Sequence, residues 1–386
     1  MHILKLVIKN MLRHRLRSML TIFGIAVAVM AFGLMRTIVT AWNSGVAASA
    51  ANRLITVHSV SFIFPLPLSY SERIAQIPGI QKVSYANWFQ GIYIDRNQFF
   101  ARMAVDPETI WDVYPEYIVS EAEKDAMKHV RNGCILGRKI AEQYKLKVGD
   151  LMTLEGDIYP GRWEMQVVGI YKGKDQNIDE TQMFFNWKYL DEEVKVRQPG
   201  REGYVGWYIV QIDDPNNRTT IASAIDNLFA NSPAETKTQT EKEFQQSFVS
   251  MSGAILTAIN VVSFVIIAII LLVLTNTMVM TARERVREYA VLRTLGFTTF
   301  HIAGLIGGEA MFIACLGGGI GLAITFPIII GVEKSIPSGW FPIFKLETIT
   351  IILAVSTAII AGITASAFPV VHAVRTKIVD GLRQIV

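Results

Sequence analysis

The chain has 386 residues, 51% of them hydrophobic, with a mean hydropathy of +0.34, a composition that points to membrane segments rather than to a soluble domain. A net charge of only +4 makes bulk electrostatics uninformative, the position of the charges says more, and no nucleic-acid partner is expected. Two cysteines, Cys134 and Cys315, with Cys315 inside an apolar run, exclude a disulfide framework and a cysteine-rich metal site.

Crossing about 30 Å of hydrocarbon takes roughly 20 apolar residues. The first such run is Met19–Met35, preceded by Lys5, Lys9, Arg13, Arg15 and Arg17. A cleaved signal peptide is the alternative, with Ala48-Ser49-Ala50 as its cleavage site. The run is too long for a signal and the site lies too far beyond it, so the span is expected to be retained. Arg36, at its outer end, is expected to snorkel to the interface. Beyond it Phe32, Met35, Val39, Trp42 and Val46 alternate spacings of three and four, the pattern of a helical seam.

About 200 residues of mixed polarity follow. They read as strand 53–60, helix 70–77, strands 80–89 and 91–105, and a short helix after Pro107. Later come strand 204–212, helix 217–230 and strand 234–239. This βαββ…αβ order predicts a split ferredoxin-like sandwich with a mainly β subdomain inserted at about 116–203. The insert holds a strand at 133–136, helix 137–145, a tight turn at Lys147-Val148-Gly149-Asp150, and strands at 152–155, 163–171 and 181–185. His58 and His129 lack partners at metal-ligand spacing and read as structural or surface residues. Phe62, Phe64, Leu66 and Leu68 alternate with residues that include Pro65 and Pro67, which exclude regular structure. This stretch reads either as a contact loop for an apolar substrate or partner, or as packing for the domain core.

From Phe244 to Ala282 there is neither charge nor proline, enough for on the order of 58 Å of helix, more than a bilayer needs. Phe244, Phe248, Met251, Ile255, Ala258 and Val262 form a second seam, so two stalk helices are expected to bury their stripes against each other or in a dimer. The third span lies within 302–330 and the fourth near 349–371. Arg283, Arg285, Arg287 and Arg293 follow span two, Arg375, Lys377 and Arg383 follow span four, and the 331–347 loop is charge-balanced. The positive-inside rule therefore predicts cytoplasmic termini and an external inter-span domain.

The chain divides into an N-terminal cytoplasmic segment (1–18), span one with its stalk (19–42), the external domain (43–243), stalk and span two (244–281), a cytoplasmic loop (282–300), span three (301–330), an external loop (331–347), span four (348–372) and a tail (373–386). The predicted class is an α-helical membrane protein with four transmembrane helices and a large α+β extracytoplasmic domain.

Several motifs carry a resemblance. Arg287 to Gly296 is similar to the R-E-I-G-x-x-R-A-x-G signature of MacB/LolC/FtsX-type ABC transporter permeases. Asn10-x-x-Arg13-x-x-x-Arg17-Ser18, Ile77-Pro78-Gly79-Ile80, Gly149-Asp150 with Val167-Val168-Gly169-Ile170, and Glu309 resemble further family motifs. The tail departs, reading Ile378-Val379-Asp380-Gly381-Leu382-Arg383 where the family has Pro-x-Glu-Ala-Leu-Arg. The resemblance implies a permease dimer, with a second copy or a paralogue, clamped on cytoplasmic ABC ATPase subunits that bind ATP and magnesium. This chain has no phosphate-binding loop, so no cofactor and no catalytic site of its own are expected. The loop helix, with Arg283, Glu284, Arg287, Glu288, Arg293 and Gly296, is expected to couple to the ATPase. Val39, Trp42, Val46, Phe244, Phe248, Met251 and Ile255 are the expected stalk or dimer contacts. Membrane lipids and a periplasmic adaptor are further candidate partners. The implied output is export or extraction of a hydrophobic substrate (lipid, lipoprotein, peptide or drug) from a bacterial inner membrane. The alternative is an FtsX-like regulator that switches an external hydrolase.

Overall fold

A computed structural model of the chain describes residues 15–44, 46, 49–96, 98–335 and 343–375. The N-terminal motif at 10–13, Ala48 and the tail motif at 378–383 lie outside these residues, as does part of the 331–347 loop. Boundaries at Thr40/Ala41, Ser252/Gly253, Val332/Glu333 and Ile343/Phe344 separate a helical unit from a sheet unit.

Helix α1 (Arg15–Trp42) opens the described chain. In the sheet unit follow β1 (Arg53–His58), β2 (Leu66–Pro67), α2 (Tyr70–Ala75), β3 (Ile80–Trp88), β4 (Gly91–Ile92), β5 (Ala101–Val105), α3 (Ile110–Val113) and β6 (Tyr117–Ile118). Then come α4 (Glu121–His129), β7 (Gly133–Gly137), α5 (Arg138–Tyr144), β8 (Leu151–Gly156), β9 (Gly161–Gly173), β10 (Gln182–Asn186) and α6 (Trp187–Arg197). The unit closes with β11 (Tyr204–Val205), β12 (Trp207–Ile212), α7 (Arg218–Leu228), β13 (Thr236–Thr240) and α8 (Glu241–Met251).

The main sheet runs β13-β1-β12-β3-β5-β10-β7-β9-β8-β4, with β6 on β9, while β11 and β2 pair separately. Its first four strands are antiparallel and are connected through α2 and α7, the split ferredoxin-like arrangement the pattern predicts. The 116–203 insert does not build a separate sheet. Its β10 pairs in parallel with β5, Gln182 opposite Ala101, and carries the same sheet onward through β7 and β9. The Met183-Phe184-Phe185 run explains why: all three side chains are buried, Met183 and Phe185 in one core and Phe184 in the other. A strand apolar on both faces belongs at the centre of a sheet covered on both sides.

Three sequence expectations change. The strand read at 91–105 is two strands separated by a loop in which Ile94 has φ 64°, outside the extended region. Arg102, buried in β5, donates Nη1 to the carbonyls of Gly91 and Phe100 at 2.7 and 3.1 Å, and so pins both ends of that loop. Helices α4 and α6 were not read from the sequence. Ser120 and Glu123 cap α4 reciprocally, a Ser-x-x-Glu box legible in hindsight. Finally, the single helix expected from Phe244 to Ala282 is divided at Ser252, directly before Gly253. Glycine is a poor helix former, and the Ser-Gly pair marks the break.

The helical unit comprises α1, α9 (Gly253–Glu284), α10 (Val286–Thr294), α11 (Thr299–Ser335) and α12 (Thr348–Arg375). Four of these are long and apolar enough to cross a membrane: Arg15–Trp42, Gly253–Glu284, Thr299–Glu333 and Thr348–Ala373. Their shared core joins Ile25, Val29 and Phe32 to Leu274 and Met278, with small residues Ala310, Ala314, Ala361 and Ala365 on α11 and α12. A Cβ on Gly317 would lie 2.8 Å from Ile25, and one on Gly321 would lie 2.6 Å from the Ala26 carbonyl. This G-x-x-x-G pair therefore lets α11 approach the backbone of α1, as small residues do in membrane helix packing. A second G-x-x-x-G pair on α11, Gly304/Gly308, does not behave alike, since a Cβ on Gly304 would meet open space. Arg36 does not simply snorkel: it is half-buried, and its Nη1 donates to Asn260 of α9 at 3.4 Å.

Candidate functional site

Two charged clusters and one aromatic loop stand out. The first cluster surrounds α10. Arg285 lies between α9 and α10 and donates Nη1 to the Glu309 carboxylate of α11 at 2.9 Å, with only 4% and 8% of the two side chains exposed. Tyr289, one turn on, is buried with Ala282, Ile302, Ile306 and Ala373. One side of α10 is thus fixed to the bundle. At its far end Gly296, at φ 92°, donates to Arg293 while Phe297 donates to Leu292, the two bonds of a Schellman cap.

The remaining side is open. Arg283 and Arg287 are exposed there together with Val291 at 47%, Leu295 at 71%, Phe297 at 41% and Phe300 at 83%. Glu288 and Arg293 are half-buried. Glu284 accepts both Nη groups of Arg17 at 2.8 Å, which ties the end of α9 to α1. Of the six residues expected to couple, Arg283, Arg287 and Gly296 lie on the open side, while Glu284 serves a contact within the bundle. The apolar residues of this surface were not singled out in the sequence, where Val291, Leu295 and Phe300 look like ordinary core positions.

The second cluster lies within the sheet unit, where its first strand meets its last helix, and no sequence motif marks it. Arg53, 3% exposed at the start of β1, donates Nε to Glu241 at 2.8 Å, Nη2 to Glu116 at 2.5 Å and Nη1 to the Val113 carbonyl at 3.0 Å. Its guanidinium stacks 4.2 Å over the Tyr114 ring. Glu241, the first residue of α8, also accepts from the Ala50 amide at 2.9 Å and from the Tyr114 hydroxyl at 3.0 Å. Burial opposes the charge on Arg53, but its bond to Glu116 and the field of Glu241 outweigh that, so its pKa lies above the ordinary value. Burial also drives the Tyr114 hydroxyl well above its ordinary pKa, with Glu241 adding to the effect. One carboxylate therefore clamps the segment entering the sheet unit, at Ala50, to the helix leaving it. The nearest sequence signal is the Thr240-x-x-Glu243 capping box, which is present and fixes where α8 begins.

The aromatic loop splits. Phe62, Ile63 and Phe64 are 37%, 77% and 51% exposed. Leu66 is fully buried in β2 and Leu68 packs on the same core, so these two leave the expected contact surface because they complete the domain interior. Phe62 meets Phe248 of α8 edge-on at 5.0 Å, and Phe248 meets Phe244 at 5.0 Å. Phe244 also lies 6.4 Å from Trp207 of β12 and packs, partly buried, against its own sheet. Ile255 is 58% exposed, whereas Val39, Trp42 and Val46 are half-buried. His129 is exposed and bonds the Asp125 carbonyl, and His58 Nδ1 accepts from the Val60 amide. Among the described residues no cluster of three or more metal-ligating side chains occurs. Cys134 is buried and burial pushes its thiol pKa up, so it is not a reactive thiol.

The chain thus combines four helices long and apolar enough to span a membrane with a ferredoxin-like sheet unit inserted in sequence between the first two, the class of an integral membrane protein with one large domain outside the spans. The MacB-like periplasmic core domain family matches residues 18–228, and the FtsX-like permease C-terminal family matches residues 260–378. The chain belongs to the MacB/FtsX-type family of ABC transporter permeases. Over 340 residues it is 22% identical to an uncharacterized ABC transporter permease of Methanocaldococcus jannaschii, covering 82% of this chain and 80% of that one. Over 263 residues it is 22% identical to an uncharacterized ABC transporter permease protein of Mycobacterium tuberculosis, covering 66% of this chain and 29% of that protein. Among solved structures, the periplasmic region of MacB from Actinobacillus actinomycetemcomitans is similar at a TM-score of 0.39 and 12% identity, covering 53% of this chain and 95% of that one. The extracellular domain of the ABC-type transporter YknZ from Gram-positive bacteria is similar at a TM-score of 0.36 and 11% identity, covering 49% and 100%. The family implies an integral membrane protein with an extracytoplasmic domain, an ATPase partner and, typically, a dimeric arrangement.

Proposed function

We propose that this chain is a permease subunit that converts ATP hydrolysis by a separate cytoplasmic ATPase into movement of its external sheet unit, and that this movement exports or extracts a hydrophobic substrate. The carrying observation is the Glu241 clamp, which joins the entering segment, the leaving helix α8 and strand β1 through one buried carboxylate. A displacement of either connecting segment then reaches the sheet without slack. ATP and magnesium are held by the partner, and this chain contributes no catalytic group. The open side of α10, with Arg283, Arg287, Val291, Leu295 and Phe297, is the surface for that partner, apolar at its centre and basic at its edge.

Both termini and α10 lie in the cytoplasm in this reading, because Arg283, Arg285, Arg287 and Arg293 cluster after the second span. A Cys315→Ser background carrying Glu72→Cys, on exposed α2, should be labelled by an impermeant maleimide in intact cells. The same background carrying Thr298→Cys should be labelled only after permeabilisation. The opposite pattern would remove the orientation and the role of α10 with it.

Coupling is tested by reversing charge at the helix, with Arg287→Glu and Glu288→Arg together. Exposed ion pairs stabilise by about 0–1 kcal/mol, so the permease should keep its melting temperature. Losing one partner of a desolvated charge pair at an interface costs roughly 2–5 kcal/mol, so ATPase affinity should fall about 30-fold or more. Wild-type ATPase binding and wild-type transport by this variant would reduce α10 to a turn between two spans.

A further inference from the structure

One face of the sheet holds a hollow of about 1240 Å³, entirely within the sheet unit. Its floor is formed by alternate residues of adjacent strands: Ile55, Ile209, Ala86, Val105, Met103 and Phe184. Phe244 and Phe248 of α8 line it on one side, and the Phe62–Pro65 loop lines it as well. The volume exceeds the roughly 300–1,000 Å³ of drug-sized sites, which favours a long ligand. Polar groups that reach the interior are already bonded. Asn87 accepts from Trp187 and donates to Tyr159, Gln182 donates to Asp179, and Glu241 is held by Arg53 and Tyr114. The interior therefore offers an occupant mostly apolar contact. Arg201, at the exposed mouth, differs: it donates to Gln198 at 3.1 Å and has no ion-pair partner among the described residues.

We propose that this hollow binds a single-chain anionic amphiphile, its apolar chain along the Met103 and Phe184 floor and its head at Arg201. The inference rests on the reading of the chain as a permease for hydrophobic substrates and names the substrate chemistry. It also gives Phe62 a role. The Phe62–Phe248 contact joins the lining loop to α8, so an occupant that displaces the loop acts on the helix clamped by Glu241.

The test uses the full chain in lipid nanodiscs and palmitate bearing a diazirine near its chain end. After photolysis, mass spectrometry should find label on peptides carrying Met103 or Phe184. Unlabelled palmitate should displace it, and hexadecyltrimethylammonium should not. Met103→Trp, which fills the floor, should lower this labelling at least tenfold, and Ala101→Leu on the same floor replaces it if the tryptophan variant does not fold. Arg201→Glu should weaken competition by palmitate about two- to fivefold while leaving competition by uncharged hexadecanol unchanged. Labelling confined to the membrane helices, equal labelling in the filled variants, or equally effective competition by the cation would each overturn the proposal. No ATPase is needed for this binding, so its failure alongside intact ATP-driven transport removes the site and leaves the permease reading standing.

Discussion

Replacing Arg53 by Met is expected to lower the melting temperature of the sheet unit by roughly 6–20 °C. The side chain is buried and bonded to Glu241, Glu116 and the Val113 carbonyl, and its loss leaves the Glu241 carboxylate inside the domain with only Ala50 and Tyr114. Breaking a buried pair from one side costs about 3–5 kcal/mol, because an uncompensated charge remains. For a unit of about 200 residues, each kcal/mol moves the transition by about 2–4 °C. Glu116 contributes less to the penalty, since 19% of its side chain reaches solvent. The partner variant Arg53→Met with Glu241→Met should recover most of the loss, since a buried ion pair and an apolar replacement are often similar in stability. Hydrogen exchange adds a local readout: in the single variant, protection should fall first in β1 and in the first turn of α8. A single variant as stable as the parent would mean that the clamp is not a unit.

The second large effect is expected at Glu309. Glu309→Gln keeps the shape and removes the carboxylate opposite Arg285, to which it is bonded at 2.9 Å with both side chains almost fully buried. The same asymmetry predicts a loss of about 3–5 kcal/mol, concentrated at the end of the bundle where α10 packs. Arg285 directly precedes α10, so the variant should also lower ATPase stimulation by the permease while leaving ATP hydrolysis by the partner alone unchanged. Arg285→Gln combined with Glu309→Gln should restore much of the stability. In a double-mutant cycle the two positions should show a coupling of at least about 1 kcal/mol, the scale expected for residues in one network. Additive effects would show that the pair does not act together.

These two pairs also mark the limit of what the sequence conveys. The four spans, the Gly296 cap and the ferredoxin-like strand order are local or periodic features, and periodicity carried them. Glu309 is visible as a family motif residue, but its partner Arg285 is one arginine among four in the loop, and only folding selects it. Arg53 and Glu241 are 188 positions apart, and no local pattern joins them. The insert was read strand by strand, yet its continuity with the main sheet depends on the parallel pairing of β10 with β5, a long-range contact. Helix α6 has no strong local signal, because Trp187, Tyr189, Leu190 and Val194 give a short apolar face among charged neighbours directly after a strand. The absence of charge and proline predicts an unbroken 244–282 helix, but the Ser252-Gly253 pair breaks it. In the aromatic loop the prolines excluded regular structure over most of its length, but only the fold separates exposed Phe62 and Phe64 from buried Leu66 and Leu68.

The most direct test of the account is a distance measurement across the assembled transporter. The permease carrying Cys315→Ser and a spin label at Glu72→Cys would be reconstituted with its ATPase, and label-to-label distances between two copies compared without nucleotide, with a non-hydrolysable ATP analogue and during turnover. The account predicts that ATP shifts the distance distribution, and that Arg287→Glu with Glu288→Arg abolishes the shift. A distribution that stays fixed while the complex hydrolyses ATP would contradict it.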